Sequence, residues 1–365
     1  MLRITFFGLT LSSSWGNGHA TSYRAILRGL QRRKVRLSFF EKDVPYYAKH
    51  RDFATCEYCD LVLYRDWHQV RGQALGRARD SDIVVAASYC PEGAHIAQEL
   101  LTLQHSLCVF YDLDTPVTLF GLEAGGVDYL RREQIPEFDL YLSFGGGNIL
   151  SVLEHKFGAR RARALYGCVD PQIHRRLPVC KQYQCSLSYM GTYAPDREHK
   201  FRNLFLEPAQ RRQEWQFLLA GSMYPQGCWI PGNVRHREHV APEEHASLYS
   251  SSRATLNLTR GEMTRWGYCP SGRLFEAAAC GTPILTDWWG GLDHFFDVKQ
   301  ELQVVHNADD VLHALDQPEG ELLEMARRAR DRTLEEHTGD RRAEQLLAYC
   351  EEAANSKAAA QEVTS

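Results

Sequence analysis

Short apolar runs, each closed by a glycine, a threonine or an acidic residue, punctuate the first half of the chain. Residues 2–7, 35–40, 82–87, 106–111 and 140–144 have this form, and helical spacing of apolar positions is clearest at residues 23–31 and 94–103. Buried runs alternating with amphipathic helices predict a parallel sheet with helices on both faces. Ligands gather at the C-terminal strand ends of such sheets, so the loops after Phe7, Tyr111 and Phe144 are where chemistry is expected. The rhythm restarts at residues 186–190, 215–220, 254–258 and 283–286, with a helix beginning near Ser271. A charged helical stretch follows at 321–352, with Gly339 placed to break it in two.

A length of 365 residues exceeds what one hydrophobic core usually serves, so two domains are expected. The junction falls near residue 170, giving domains at 1–170 and 171–350. The small polar segment 351–365 is expected to form a flexible tail. Hydrophobic residues make up 44% and charged residues 24%, ordinary for a soluble protein, and no apolar run suits a membrane span. The N-terminus reads as a first strand rather than an export signal, which places the chain in the cytoplasm with its eleven cysteines reduced. Cys56 and Cys59 form the one C-x-x-C pair, without the second pair a zinc knuckle needs. The net charge of -4 gives no general attraction to nucleic acid; basic runs at Arg32–Arg33, Arg160–Arg163 and Arg211–Arg212 read as solvated faces or as peripheral membrane contacts.

The densest signal is GYCPSGRLFEAAACGTPILTD at 267–287. Ser271 reads as a helix N-cap and Gly272 lets an anion approach the exposed N–H groups. Arg273 can bind phosphate oxygens, and Glu276, one turn on, can accept hydrogen bonds from ribose hydroxyls. The same residues also suit an amphipathic helix with a small, buried face, and composition alone does not separate the two readings.

This segment resembles the donor-site signature of GT-B glycosyltransferases. Together with SWGNGHA at 14–20, YDLDTPVT at 111–118, YMGTY at 189–193 and TDWWGGLD at 286–293, it is similar to the CgeB-like bacterial branch. The resemblance implies an α/β GT-B fold, two Rossmann-like domains facing across a cleft, with the last helix crossing back onto the first domain. It also implies transfer of a sugar from a nucleotide diphosphate sugar, UDP-linked by preference. Gly191, Thr192 and Arg197 would then face the diphosphate, Gly221, Ser222 and Val240 the base, Ser271, Gly272 and Arg273 the phosphates, and Glu276 the ribose. Gly16, Asn17, Gly18, Gly146, Trp288, Gly290 and Asp293 would line the sugar side or the cleft. One departure stands out. Retaining members carry an acid eight positions before the ribose acid, where this chain has Tyr268.

The loop 12–19 joins the first strand to a helix but lacks the G-x-G-x-x-G spacing, which argues against hydride transfer to a dinucleotide. His19 can take a proton near neutral pH, and Asp112 or Asp114 can orient it, similar to the His–Asp dyad of inverting GT-B enzymes. Asp112-Leu113-Asp114 also has the D-x-D form of a metal site, but that reading belongs to another glycosyltransferase fold. No metal or resident cofactor is therefore expected, and inversion is slightly favoured. Retention with the donor phosphate as base, a sugar-nucleotide epimerase and a non-catalytic sugar-nucleotide-binding protein are the alternatives.

Overall fold

The computed structural model describes the chain apart from Asn17, Gln104, His105, Gln226, Cys228, Trp229 and Ser365, with residues 360–364 described by backbone alone. It divides into two compact units: residues 1–166 together with 339–365, and residues 167–338.

In the first unit, seven strands lie in the order β3-β2-β1-β4-β5-β6-β7. They are β1 (Arg3–Gly8), β2 (Arg36–Lys42), β3 (Asp60–Tyr64), β4 (Ile83–Ala87), β5 (Leu107–Asp112), β6 (Leu140–Ser143) and β7 (Ala162–Ala164). Every pairing is parallel. Because both faces are covered, the central strands are apolar throughout rather than alternating: Phe6, Phe7, Phe39, Phe40, Val85, Val109 and Phe110 are all buried. The strand order reverses direction between β1 and β4, so the crevice at their C-terminal ends is bordered by the loops that precede His19 and follow Ala87.

The second unit repeats the plan with β8 (Cys185–Met190), β9 (Phe217–Ala220), β10 (Val234–Arg237), β11 (Ser252–Asn257), β12 (Ile284–Thr286) and β13 (Gln303–Val304). Their order is β10-β9-β8-β11-β12-β13, again parallel, and the reversal lies between β8 and β11. Leu187, Leu219, Leu256 and Leu285 from four of these strands meet Phe205 and Phe217 in the core.

The helical stretch expected at 321–352 is two helices, Glu319–Glu336 and Gly339–Thr364. The second belongs to the first unit and packs along the helix His19–Arg32. Their contact is as close as backbones allow. A Cβ on Gly339 would sit 2.2 Å from the Ala25 carbonyl oxygen, and one on Gly29 2.5 Å from that of Gly339. Arg32 and Arg33 close the same junction on Asp340.

Residues 351–365, expected as a flexible tail, continue this helix to Thr364. Ala353 is buried, and Lys357 pairs with Asp139 at 2.8 Å while donating to the Ser106 carbonyl. A small, polar composition concealed one buried face and one well-placed cation. The basic runs are likewise occupied within their own units. Arg161 and Arg163 meet Glu352, Arg160 meets Asp139, Arg211 meets Asp309 and Arg212 meets Asp316.

Candidate active site

At the C-terminal edge of the second sheet, the turns after β8 and β9 touch backbone to backbone. A side chain on Gly221 would stand 2.1 Å from the Gly191 carbonyl oxygen, so this approach is open to glycine alone, and Gly221 has φ +154°. Gly191 N–H donates to Ala220 O, and Tyr193 N–H donates to Ser222 O. Thr192 is left exposed on the rim.

Next to these turns stands the helix Gly272–Ala279, whose first N–H groups have no partner within the helix. Ser271 occupies the N-cap position, but its hydroxyl accepts from Arg273 Nε at 3.1 Å rather than from the helix backbone. The Arg273 guanidinium reaches on to the Met190 carbonyl at the end of β8. Arg197 is 6% exposed and donates to the Thr192 carbonyl at 2.6 Å and the Leu258 carbonyl at 3.5 Å, while its Nε has no partner. Neither arginine faces a carboxylate at ion-pair distance among the described residues. Two guanidiniums, a helix N-terminus and glycine turns thus concentrate positive potential at one strand edge, a setting suited to phosphates.

Glu276 lies one turn inside that helix and is buried. His245 Nδ1 is 3.3 Å from Glu276 Oε2, an ion-pair contact whose angle falls short of an aligned hydrogen bond. The other ring nitrogen, Nε2, is 3.3 Å from the Val240 carbonyl. With an acceptor facing each nitrogen, the ring satisfies both only as the imidazolium. Burial works against ionisation of Glu276, yet His245, with His174 and Arg273 farther off, outweighs it and holds the carboxyl at about 2. Burial also opposes the charge on His245, but Glu276 prevails and raises it. His174 goes the other way, because burial exceeds the pull of Glu276. Its Nδ1, like the Tyr249 hydroxyl, is buried without a partner.

The remaining expected residues of this unit are spread along the loop after β12. Trp289 is buried against Phe295, whereas Trp288 is 46% exposed, as adjacent extended residues require. Gly290 accepts from Tyr268 N–H at 2.7 Å, and Asp293 is exposed. Asp287 is engaged by Lys200, Thr259 N–H and the Thr259 hydroxyl.

In the first unit, Glu41 at the end of β2 organises the loop after β1. Its buried carboxylate accepts from Leu11 N–H, Ser12 N–H and the hydroxyls of Thr10 and Ser12. Asp52 then ties Ser14 to Arg24, and the His50 ring stacks on Trp15 at 3.8 Å. This fixed loop delivers Gly16, Gly18 and His19, the first residue of its helix; Asn17 lies outside the described residues. His19 is part-buried, with its Nδ1 face sealed from solvent, and burial brings the imidazole down to about 4. Tyr89 connects it to the acids: the two ring centroids are 5.3 Å apart, and the Tyr89 hydroxyl donates to Asp114 Oδ2 at 3.1 Å.

Asp112 is fully buried, and its oxygens take Tyr141 OH at 2.6 Å, Thr118 OH at 2.8 Å and Asp114 N–H at 3.1 Å. These bonds brace the strand end, and none of them is to His19. Gly146 is also structural: a Cβ there would meet the Tyr166 hydroxyl at 2.0 Å. His245, His174, Glu41 and Tyr89 were missed in the sequence, where each stands alone in an unremarkable run.

Residues 197–348 match the family model described as glycosyl transferase-like. No curated protein matches the sequence. Among solved structures, sucrose-phosphate synthase from Thermosynechococcus elongatus is similar, with a TM-score of 0.68 at 12% identity, covering 98% of this chain and 100% of that one. An alpha-glucosyltransferase in complex with UDP-glucose and DNA containing an abasic site gives 0.70 at 11% identity, over 96% and 98% of the two chains. Anabaena HepE in complex with UDP-glucose gives 0.64 at 10% identity, over 98% and 100%. At such identities the structural likeness establishes the fold, which is GT-B. With the sequence match in the unit that carries the phosphate-suited edge, the chain is an enzyme of the glycosyltransferase class on a GT-B fold.

Proposed function

We propose that this enzyme transfers a sugar from a UDP-sugar to an acceptor hydroxyl, with the donor nucleotide on the second unit. The observation that carries the reading is Glu276. An ionised, buried carboxylate set one turn behind a helix N-terminus has acceptor capacity suited to vicinal hydroxyls, while Arg273, Arg197 and the N–H groups suit the diphosphate. UDP is preferred because HepE and the alpha-glucosyltransferase are complexed with UDP or UDP-glucose. The motifs at 14–20, 111–118, 189–193 and 286–293 support placement in the CgeB-like branch, and the ten described cysteines, all free thiols, suit the cytoplasm.

For the chemical step we favour direct displacement with inversion. His19 is the base: neutral near pH 7, it can take the proton of an acceptor hydroxyl, and its ring packs on Tyr89, whose hydroxyl donates to Asp114. The second reading is retention with the donor phosphate as base, in which His19 positions the acceptor. NMR of the first-formed product distinguishes them by its anomeric configuration.

Binding of UDP tests the donor assignment. At 100 times its dissociation constant UDP should add about 2.7 kcal/mol of stability. Glu276→Ala should weaken UDP by about 1.5–3 kcal/mol, the value of hydrogen bonds to a charged group. Unchanged affinity would remove Glu276 from the ribose. Turnover is expected to survive EDTA, and loss restored by magnesium or manganese would overturn the metal-independent reading.

A further inference from the structure

Within the second unit, His245 joins two segments that the resemblance to GT-B enzymes places against the donor. Its helix, Pro242–Ser251, begins just after Val240 and carries the imidazole to the helix of Glu276. Nδ1 is 3.3 Å from Glu276 Oε2 and Nε2 is 3.3 Å from the Val240 carbonyl oxygen, so the ring is held at both nitrogens. The two oxygens of Glu276 differ. Oε2 is sealed from solvent on the side of the imidazole, and the Tyr249 hydroxyl and His174 Nδ1 are sealed as well. Oε1 is the oxygen left open, and among the described residues no donor of the chain bonds it.

Given the donor reading above, we infer that His245 is the positioning residue of the ribose contact: it fixes Oε2 of Glu276, presents Oε1 alone to a ribose hydroxyl, and so selects ribonucleotide over deoxyribonucleotide donors.

Burying an ion pair costs desolvation that well-packed apolar side chains would avoid, so stability alone explains the pair poorly. A carboxylate with one oxygen held and the other open explains it better. Burial opposes ionisation of Glu276, and His245 is the foremost group that overcomes it. A carboxylate able to turn could share its oxygens among several donors. One clamped through Oε2 instead aims Oε1 in a single direction, and a hydroxyl must stand there to meet it. A nucleotide that lacks this hydroxyl leaves a buried, charged acceptor unfilled. Unfilled acceptors of that kind are a strong basis for rejecting an analogue that differs by one hydroxyl.

The probes are UDP and its 2′-deoxy and 3′-deoxy analogues, titrated by calorimetry into the full-length protein at neutral pH. At least one deoxy analogue should bind about tenfold or more weakly than UDP, the effect of losing a hydrogen bond to a charged group. His245→Asn keeps a donor near the place of Nδ1, whereas His245→Gln carries its donor towards the place of Nε2. The Gln variant should therefore bind UDP more weakly and bring the ratio of UDP to deoxy affinity towards one, while the Asn variant keeps most of that ratio. A purely structural loss would weaken all three ligands equally and leave the ratio where it stood. An unchanged ratio in His245→Gln overturns the role of His245, and a parent protein that binds all three ligands alike overturns it without any variant. Glu276→Ala separates the two levels. Unchanged UDP affinity in that variant removes the donor reading itself, whereas weakened UDP binding there, with the His245→Gln ratio unchanged, removes His245 alone.

Discussion

The two units share one plan yet differ in the charged groups they hold at the corresponding strand ends. In the first, two buried acids are held by the chain's own donors: Glu41 by four donors of the β1 loop, Asp112 by Tyr141, Thr118 and the Asp114 N–H. In the second, Arg197 Nε, His174 Nδ1 and the Tyr249 hydroxyl are buried without partners, and two guanidiniums rest on carbonyls rather than carboxylates. Tyr23, Tyr64 and Trp67 of the first unit also bury polar atoms without a partner, so the contrast lies in charge: acids held by the chain's own donors in one unit, guanidiniums facing no carboxylate at ion-pair distance among the described residues in the other.

The largest test of that contrast is Glu41→Ala. It strands two buried backbone N–H groups, at about 1–3 kcal/mol each, so the first unit should lose about 2–6 kcal/mol against urea. UDP affinity should be unchanged, because the second unit keeps every group that faces the donor. Weaker UDP binding in a folded Glu41→Ala protein would erase the distinction between scaffold and binding edge. His19→Ala comes next. Removal of a general base lowers turnover by about 100-fold or more, with UDP affinity and stability close to those of the parent. A loss in KM alone would make His19 a positioning residue.

What the sequence made legible follows the same division. Strands buried on both faces announced themselves as apolar runs, so β1, β2, β4, β5, β6, β8, β9, β11 and β12 were expected within a few residues of where they lie. The edge strands β3, β7, β10 and β13 were not, because an edge needs few apolar residues; in β10 only Val234 is buried. The helix bearing Glu276 was legible because glycine, serine and a small-residue face coincide within one turn of one another. The groups that set its charge were not. His245 reaches Glu276 across a separation in sequence that no local pattern encodes, and the same holds for Glu41 and the loop it braces. Asp112 and Asp114 looked alike in sequence, and only their hydrogen-bond partners tell them apart.

A smaller effect is expected from Gly339→Ala. The added Cβ would meet the Ala25 carbonyl oxygen at 2.2 Å, so the last helix must shift away from the first. Overpacking of this kind costs about 1–3 kcal/mol. The loss should appear in hydrogen exchange of residues 19–32 and 339–359, with the second unit unaffected. Equal loosening of both units would show that the last helix supports more than the unit to which it belongs.

The smallest effect is the pH response of the Glu276–His245 pair. The Glu276 carboxyl is held at about 2, below its ordinary 4.5, so its contribution to stability is complete above 4.5 and disappears as pH falls towards 2. His245 is raised above its ordinary 6.5, so its contribution is complete below 6.5 and disappears as pH rises through the folded-state value. Between those limits the pair contributes a plateau. In Glu276→Gln the imidazole has lost the carboxylate that raised it, so it should titrate lower, and the alkaline decline in the melting temperature should flatten. The acid-side decline should flatten as well, since the titrating carboxyl is gone. Melting curves of the two proteins across pH provide the measurement, and superimposable slopes above pH 6.5 would mean that Glu276 does not raise His245.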